Sequence, residues 1–185
     1  MVYGILIKNR TQSMTDDSKN RSVQAAADIA NGGVFRLDAQ GSQSGSAAEV
    51  WSATAAAVGT YDGLWMAASP EVVITSSKYK GIDPDPRNFV NPAGYVFDAF
   101  KPCVGDVITL SSYGISGSPS TGDYVTSGSQ AYTLLWASSG SINPFGGRLT
   151  MKLLAETYVS IGTGAIDNQR VLAYKLQVLF NGVNN

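Results

Sequence analysis

The strongest constraint on the fold lies in the last third of the chain. From Arg170 to Phe180 the residues alternate with a period of two: Leu172, Tyr174, Leu176, Val178 and Phe180 share an apolar face, while Val171, Ala173, Lys175, Gln177 and Leu179 form a more mixed one. An extended strand separates side chains in this way. Arg148 to Ile161 is a second long strand, and the connector Gly162 to Gln169 closes the two into a long hairpin.

Upstream, short strand signals alternate with turns. Strands are predicted at Tyr3 to Lys8, Val34 to Leu37, Glu49 to Ala53, Gly63 to Ala68, Glu71 to Ser76, Val96 to Phe100, Asp106 to Leu110 and Ala131 to Ala137, where β-branched and aromatic residues mix with small ones. Val23 to Ala30 is Ala-rich and predicts one or two helical turns, stopped at Asn31-Gly32-Gly33. Asp38 to Ser46 and Tyr113 to Gly128, rich in Gly and Ser, are predicted loops. The rhythm predicts an all-β barrel or sandwich of short antiparallel strands with long loops. No repeat period points to a propeller or solenoid.

A length of 185 residues fits one domain, taken as 1–185. Two segments offer it little core. Residues 11–22 form a nearly all-polar arm or loop. Residues 79–94 hold Pro84, Pro86 and Pro92 and exclude regular helix or central strand.

Charged residues make up only 15% of the chain and the net charge is -1, so the surface is built largely from neutral polar residues. No basic face is available to neutralise phosphates, which argues against a nucleic-acid partner. The mildly basic stretch of Lys8, Arg10, Lys19, Arg21 and Arg36 is interleaved with Asp16, Asp17 and Asp28. No stretch approaches the roughly 20 apolar residues of a membrane helix, so no membrane partner is expected. The start shows no signal-peptide pattern, and a cytosol-like compartment is expected before assembly.

The chain contains no His, which excludes Ser-His-Asp and Cys-His catalysis and imidazole metal sites. Cys103 is the only cysteine and is expected to be a small buried hydrophobe. Gly162-Thr163-Gly164 lacks the helix that a dinucleotide loop requires, and Ser77-Lys78-Tyr79-Lys80 lacks the partner motifs of the penicillin-recognising enzymes. Asp83, Asp85 and Asp98 are expected to be turn and surface carboxylates rather than calcium ligands, because the Gly and distal Glu of an EF-hand loop are missing. Trp51, Trp65 and Trp136 fall in predicted strands and are expected in the core, although they are the residues that would line a sugar-binding face. No catalytic residue, cofactor or metal ligand is therefore expected, and the chain is taken as a non-enzyme.

A series of segments carries a resemblance: Tyr3 to Asn9, Ala26 to Gly33, Met66 to Val72, Val104 to Leu110 and Ala173 to Leu179. In this order they resemble the small decoration, or cement, proteins encoded beside the major capsid protein in tailed phages. The resemblance implies a protein made in the host cytoplasm that coats the outer capsid surface. Its implied partners are the major capsid protein and neighbouring copies of itself. The family brings no site residues to carry over. From the two low-core segments, partner contact is expected at Tyr79, Phe89 and Val90 as apolar anchors and at Lys19 and Arg21. The alternatives are another virion part, such as a tail-tube or head-fibre protein, and a carbohydrate-binding surface module. A hydrolase using carboxylates alone is the weakest.

Overall fold

The computed structural model describes residues 3–12, 20–41, 48–56, 63–70, 85–128, 132–137, 149–161 and 169–182. Within these residues the protein is all-β. The strands are β1 (Asn20–Ala25), β2 (Val34–Gln40), β3 (Trp51–Thr54), β4 (Trp65–Ala67), β5 (Val96–Phe100), β6 (Val107–Ser111), β7 (Ile115–Ser116), β8 (Tyr124–Ser127), β9 (Leu134–Ala137), β10 (Leu149–Ile161) and β11 (Gln169–Asn181).

The first five close into a barrel in the order β1-β3-β2-β4-β5, and the rest form a curled sheet in the order β6-β11-β10-β8-β9-β7. Neighbours are antiparallel except for the parallel pairs β1–β3 and β7–β9. The barrel interior is small. Val23, Ala25, Ile29, Ala53, Ala67 and Ala99 surround Phe35 and Phe97, whose rings meet edge to face at 5.7 Å and 85°. The larger core lies between the barrel and the sheet. There Val34, Leu64, Met66 and Phe100 of the barrel side meet Ile108, Leu110, Met151, Leu153, Leu176 and Val178.

The two long strands pair antiparallel as expected, with connector residues 162–168 outside the described residues, and the apolar row Leu172, Tyr174, Leu176 and Val178 packs on the central core. The other face is not solvent along its whole length. Val171, Ala173 and Ile161 are buried under Ile5 and Ile7, with the half-buried Val159 packed against them. The N-terminal segment reaches them by pairing with the edge of β6: Ile7 N–H donates to Thr109 O, Ser111 N–H to Ile5 O, and Gln12 and Val107 exchange bonds at 2.7 Å. It passes the turn after β6 at a glycine–glycine crossing, where a Cβ on Gly4 would stand 2.8 Å from Gly114 Cα.

Several expectations are corrected. Val23 to Ala30 is not helical; Val23 and Ala25 belong to β1, paired on both sides within the barrel. Their small side chains fit a narrow interior, and tertiary packing overrides local helix propensity. Tyr113 to Gly128 is not one loop, because β7 and β8 lie within it and join the sheet. The polar arm is shorter than expected: Thr11 and Gln12 bond to β6, and Asn20–Ser22 open β1 opposite Phe100–Asp98. Residues 13–19, 79–84 and the expected strand Glu71 to Ser76 lie outside the described residues. Cys103 is half-buried rather than buried. It opens a turn in which its N–H donates to Asp106 Oδ2 at 2.8 Å and its carbonyl accepts from Asp106 N–H at 3.0 Å.

Candidate interaction surface

The Pro-rich segment from Asp85 to Gly94 is tied into the fold. Asp85 Oδ1 accepts the Arg87 N–H, and the two side chains form a forked pair, with Nε at 2.9 Å and 3.0 Å and Nη2 at 2.6 Å from the carboxylate. The other guanidinium nitrogen donates to Gln169 Oε1 at 2.7 Å, so Arg87 ties this turn to the start of β11. Beyond it a buried amide network joins three loops. Asn31 donates to Ser69 O at 2.9 Å and accepts from Ser69 N–H at 3.1 Å, while Asn91 donates to Ile29 O at 2.8 Å and to Asn31 Oδ1 at 3.3 Å. These bonds satisfy loop backbone that strand ladders do not reach.

The expected contact residues therefore separate. Phe89 is only 8% exposed and is a packing residue of the chain's own fold, which removes it as a free apolar anchor. Val90 is half-buried. Arg21 is half-exposed on β1 and its guanidinium lies 5.6 Å from the ring centre of Trp65. Tyr79 and Lys19 lie outside the described residues.

The forked pair makes stability acid-sensitive. The side-chain hydrogen bonds from Arg87 hold the Asp85 carboxyl below its ordinary range, against the opposing effect of burial. A lowered folded value means that the contribution is present above the unfolded value of roughly 3.9 and is lost as pH falls through the folded value. Asp85→Asn is expected to cost about 1 kcal/mol at neutral pH. In urea titrations at several pH values, that difference should hold above about pH 4 and shrink as the pH falls through the lowered folded value. A difference that persists in acid would show that the pair contributes nothing through charge.

Of the basic stretch, Lys8 and Arg21 come together with Thr11, Ser22 and Asp98 around a cleft of about 580 Å³ on the barrel side. Arg36 bonds Thr54 Oγ1 at 2.6 Å and lies 3.8 Å from Asp38. The cleft offers donors and one carboxylate, a set suited to holding a polar chain. Among the described residues no cluster of three or more His, Cys, Asp or Glu is placed to hold a metal ion. The tryptophans also depart from expectation. Trp51 and Trp65 are half-buried against the barrel core, whereas Trp136 is 41% exposed on the other sheet, with its Nε1–H bonded to Asp123. They do not form one stacking face.

The sequence reading missed the outer edge of β10. β8 pairs with β10 only from Thr150 to Lys152, and the last bonds on that side join Leu153 to Asp123 and Gly122. A bulge follows between Leu153 and Ala155. From there to Ile161, β10 has a ladder to β11 alone among the described residues. Tyr158 stands 57% exposed on this stretch and Leu154 is exposed beside it. Beside its last residues lies a second cleft, of about 450 Å³, lined by Ile5, Ile7, Lys8, Val159, Ser160 and Ile161. No family model, curated protein or solved structure matches the chain.

Proposed function

We propose that the protein is a non-catalytic structural component of a tailed-phage virion, coating the outer face of the capsid and reinforcing it on the major capsid protein. The observation that carries this reading is the ordered series of segments that resembles the decoration proteins. Each of those segments contributes to the described core: Leu6, Leu110 and Leu176 lie in the central cluster, and Ile29 and Ala67 in the barrel. A cement role asks for a rigid scaffold and a neutral polar surface able to lie against other protein. A chain of 15% charged residues with no His suits that role better than one built on charge or acid–base chemistry.

The test is co-sedimentation with purified capsids that lack this protein. Saturable binding at a fixed ratio to the major capsid protein is expected, with a raised temperature of capsid disruption. Pelleting no greater than with unrelated protein shells would reject the reading. Phe89 is an unsuitable probe, because its replacement would disturb the fold; Arg21→Glu and Val90→Ser probe the surface.

A further inference from the structure

The edge of β10 between Ala155 and Ile161 has a definite hydrogen-bonding polarity. Val178 on β11 bonds toward β6, accepting from Gly105 N–H and donating to Asp106 O. Backbone polar groups alternate sides along a strand, so the even-numbered residues of β11 face β6 and the odd-numbered ones face β10. Thr157 and Val159, opposite Ala173 and Val171, therefore carry the ladder to β11. Glu156, Tyr158 and Ser160 turn their N–H and C=O groups outward. The carbonyl of Tyr158 confirms this direction, since it accepts an exposed bond from Arg10 Nη1 at 3.2 Å.

A row of outward amides alternating with carbonyls is complementary to another extended strand. Natural edges are commonly guarded by Lys or Pro. This stretch, Ala155-Glu156-Thr157-Tyr158-Val159-Ser160-Ile161, has neither, and is rich in strand-favouring residues.

We infer that this edge pairs antiparallel with the same edge of a second copy, about a two-fold axis through Tyr158, to give a dimer with one continuous sheet. The inference goes beyond the proposed capsid role and stands without it. The register follows from using all three outward residues. Tyr158 lies opposite its counterpart as an aromatic cross-strand pair, and Glu156 lies opposite Ser160. That placement is complementary in charge. Ser160 lines the cleft that holds Lys8 and sits directly across from Arg170 on β11, so the second copy's Glu156 enters a basic surround. No like charges face each other. The incoming strand replaces the Arg10 bond to Tyr158 O.

Sedimentation velocity across the micromolar range should show a monomer–dimer equilibrium in the parent. Tyr158→Pro removes an N–H that β11 does not use, so it should yield a monomer with an unchanged circular dichroism spectrum. Glu156→Lys should weaken the dimer by about tenfold or more, because it sets a cation against Lys8 and Arg170. In a Cys103→Ala background, Tyr158→Cys should cross-link to its counterpart on mild oxidation, since directly opposed Cα atoms are about 5.5 Å apart in such a pair. Leu135→Cys, on another strand, should not cross-link. A parent that stays monomeric throughout overturns the inference, as does a dimer that survives Glu156→Lys and that Tyr158→Cys fails to cross-link. Neither result bears on capsid binding, which co-sedimentation reads separately.

Discussion

Phe35→Ala is expected to destabilise the fold by about 3–5 kcal/mol. Phe35 is fully buried on β2, and the residues around it in the barrel are mostly small: Ala25, Ala53, Ala67 and Ala99. Alanines cannot extend into the space a phenyl ring leaves, and the closed ladder holds their backbones apart. The cavity should persist, which places the cost toward the upper end for a large-to-small change. Loss of the edge-to-face contact with Phe97 adds about 0.5–1.5 kcal/mol of that total. Urea unfolding followed by tryptophan fluorescence suits the measurement, because Trp65 on β4 lies directly across from Phe35. Phe35→Leu, which keeps most of the volume, should cost under about half as much. Equal losses for the two variants would mean that the barrel interior collapses freely and is not a packed core.

The parts of this fold legible in the sequence are those where side-chain periodicity and pairing agree. In β11 the alternation runs over enough residues to show a strand directly, and its apolar row is the one that meets the central core. β5 falls on the expected Val96 to Phe100. Elsewhere the deciding forces are non-local. The Val23-Gln24-Ala25-Ala26-Ala27 run favours helix by propensity, yet pairing with β3 and β5 makes a strand of its first half. β7 and β8 are short and set in Gly- and Ser-rich sequence, and only their ladders to β9 and β10 define them. In the described part of the Pro-rich segment, 85–94, the regular structure is one short 3-10 turn at Pro86–Asn88, and the prolines hid that Phe89 and Asn91 are buried. The side of β10 at Tyr158 that pairs with no other described strand had no local signal either. Whether a strand has one neighbour or two depends on where β8 stops, far away in sequence.

Asn31 shows why such a loop-rich barrel needs polar groups inside it, and Asn31→Ala is expected to cost about 2–4 kcal/mol. Asn31 is 1% exposed, and its amide meets both the N–H and the C=O of Ser69, as a neighbouring strand would. Alanine leaves both backbone groups buried without that partner, and Asn91 loses one of its two acceptors. An unsatisfied buried group costs about 1–3 kcal/mol, so two of them outweigh any gain from burying a methyl. Asn31→Asp separates the donor from the acceptor. Its carboxylate oxygen can still accept from Ser69 N–H and Asn91, but the second oxygen faces the Ser69 carbonyl. Burial and that repulsion should raise the folded carboxyl value above the unfolded one. A raised value gives stability that is fully present below the unfolded value of roughly 3.9 and is lost as pH rises through the folded one. Asn31→Asp should therefore unfold more easily at neutral pH than in mild acid, the reverse of the trend set by Asp85. Thermal melts of Asn31→Ala and Asn31→Asp at neutral pH and in mild acid measure this. An Asn31→Asp protein equally stable at both would show that the site admits water, and that the amide network is not a sealed part of the core.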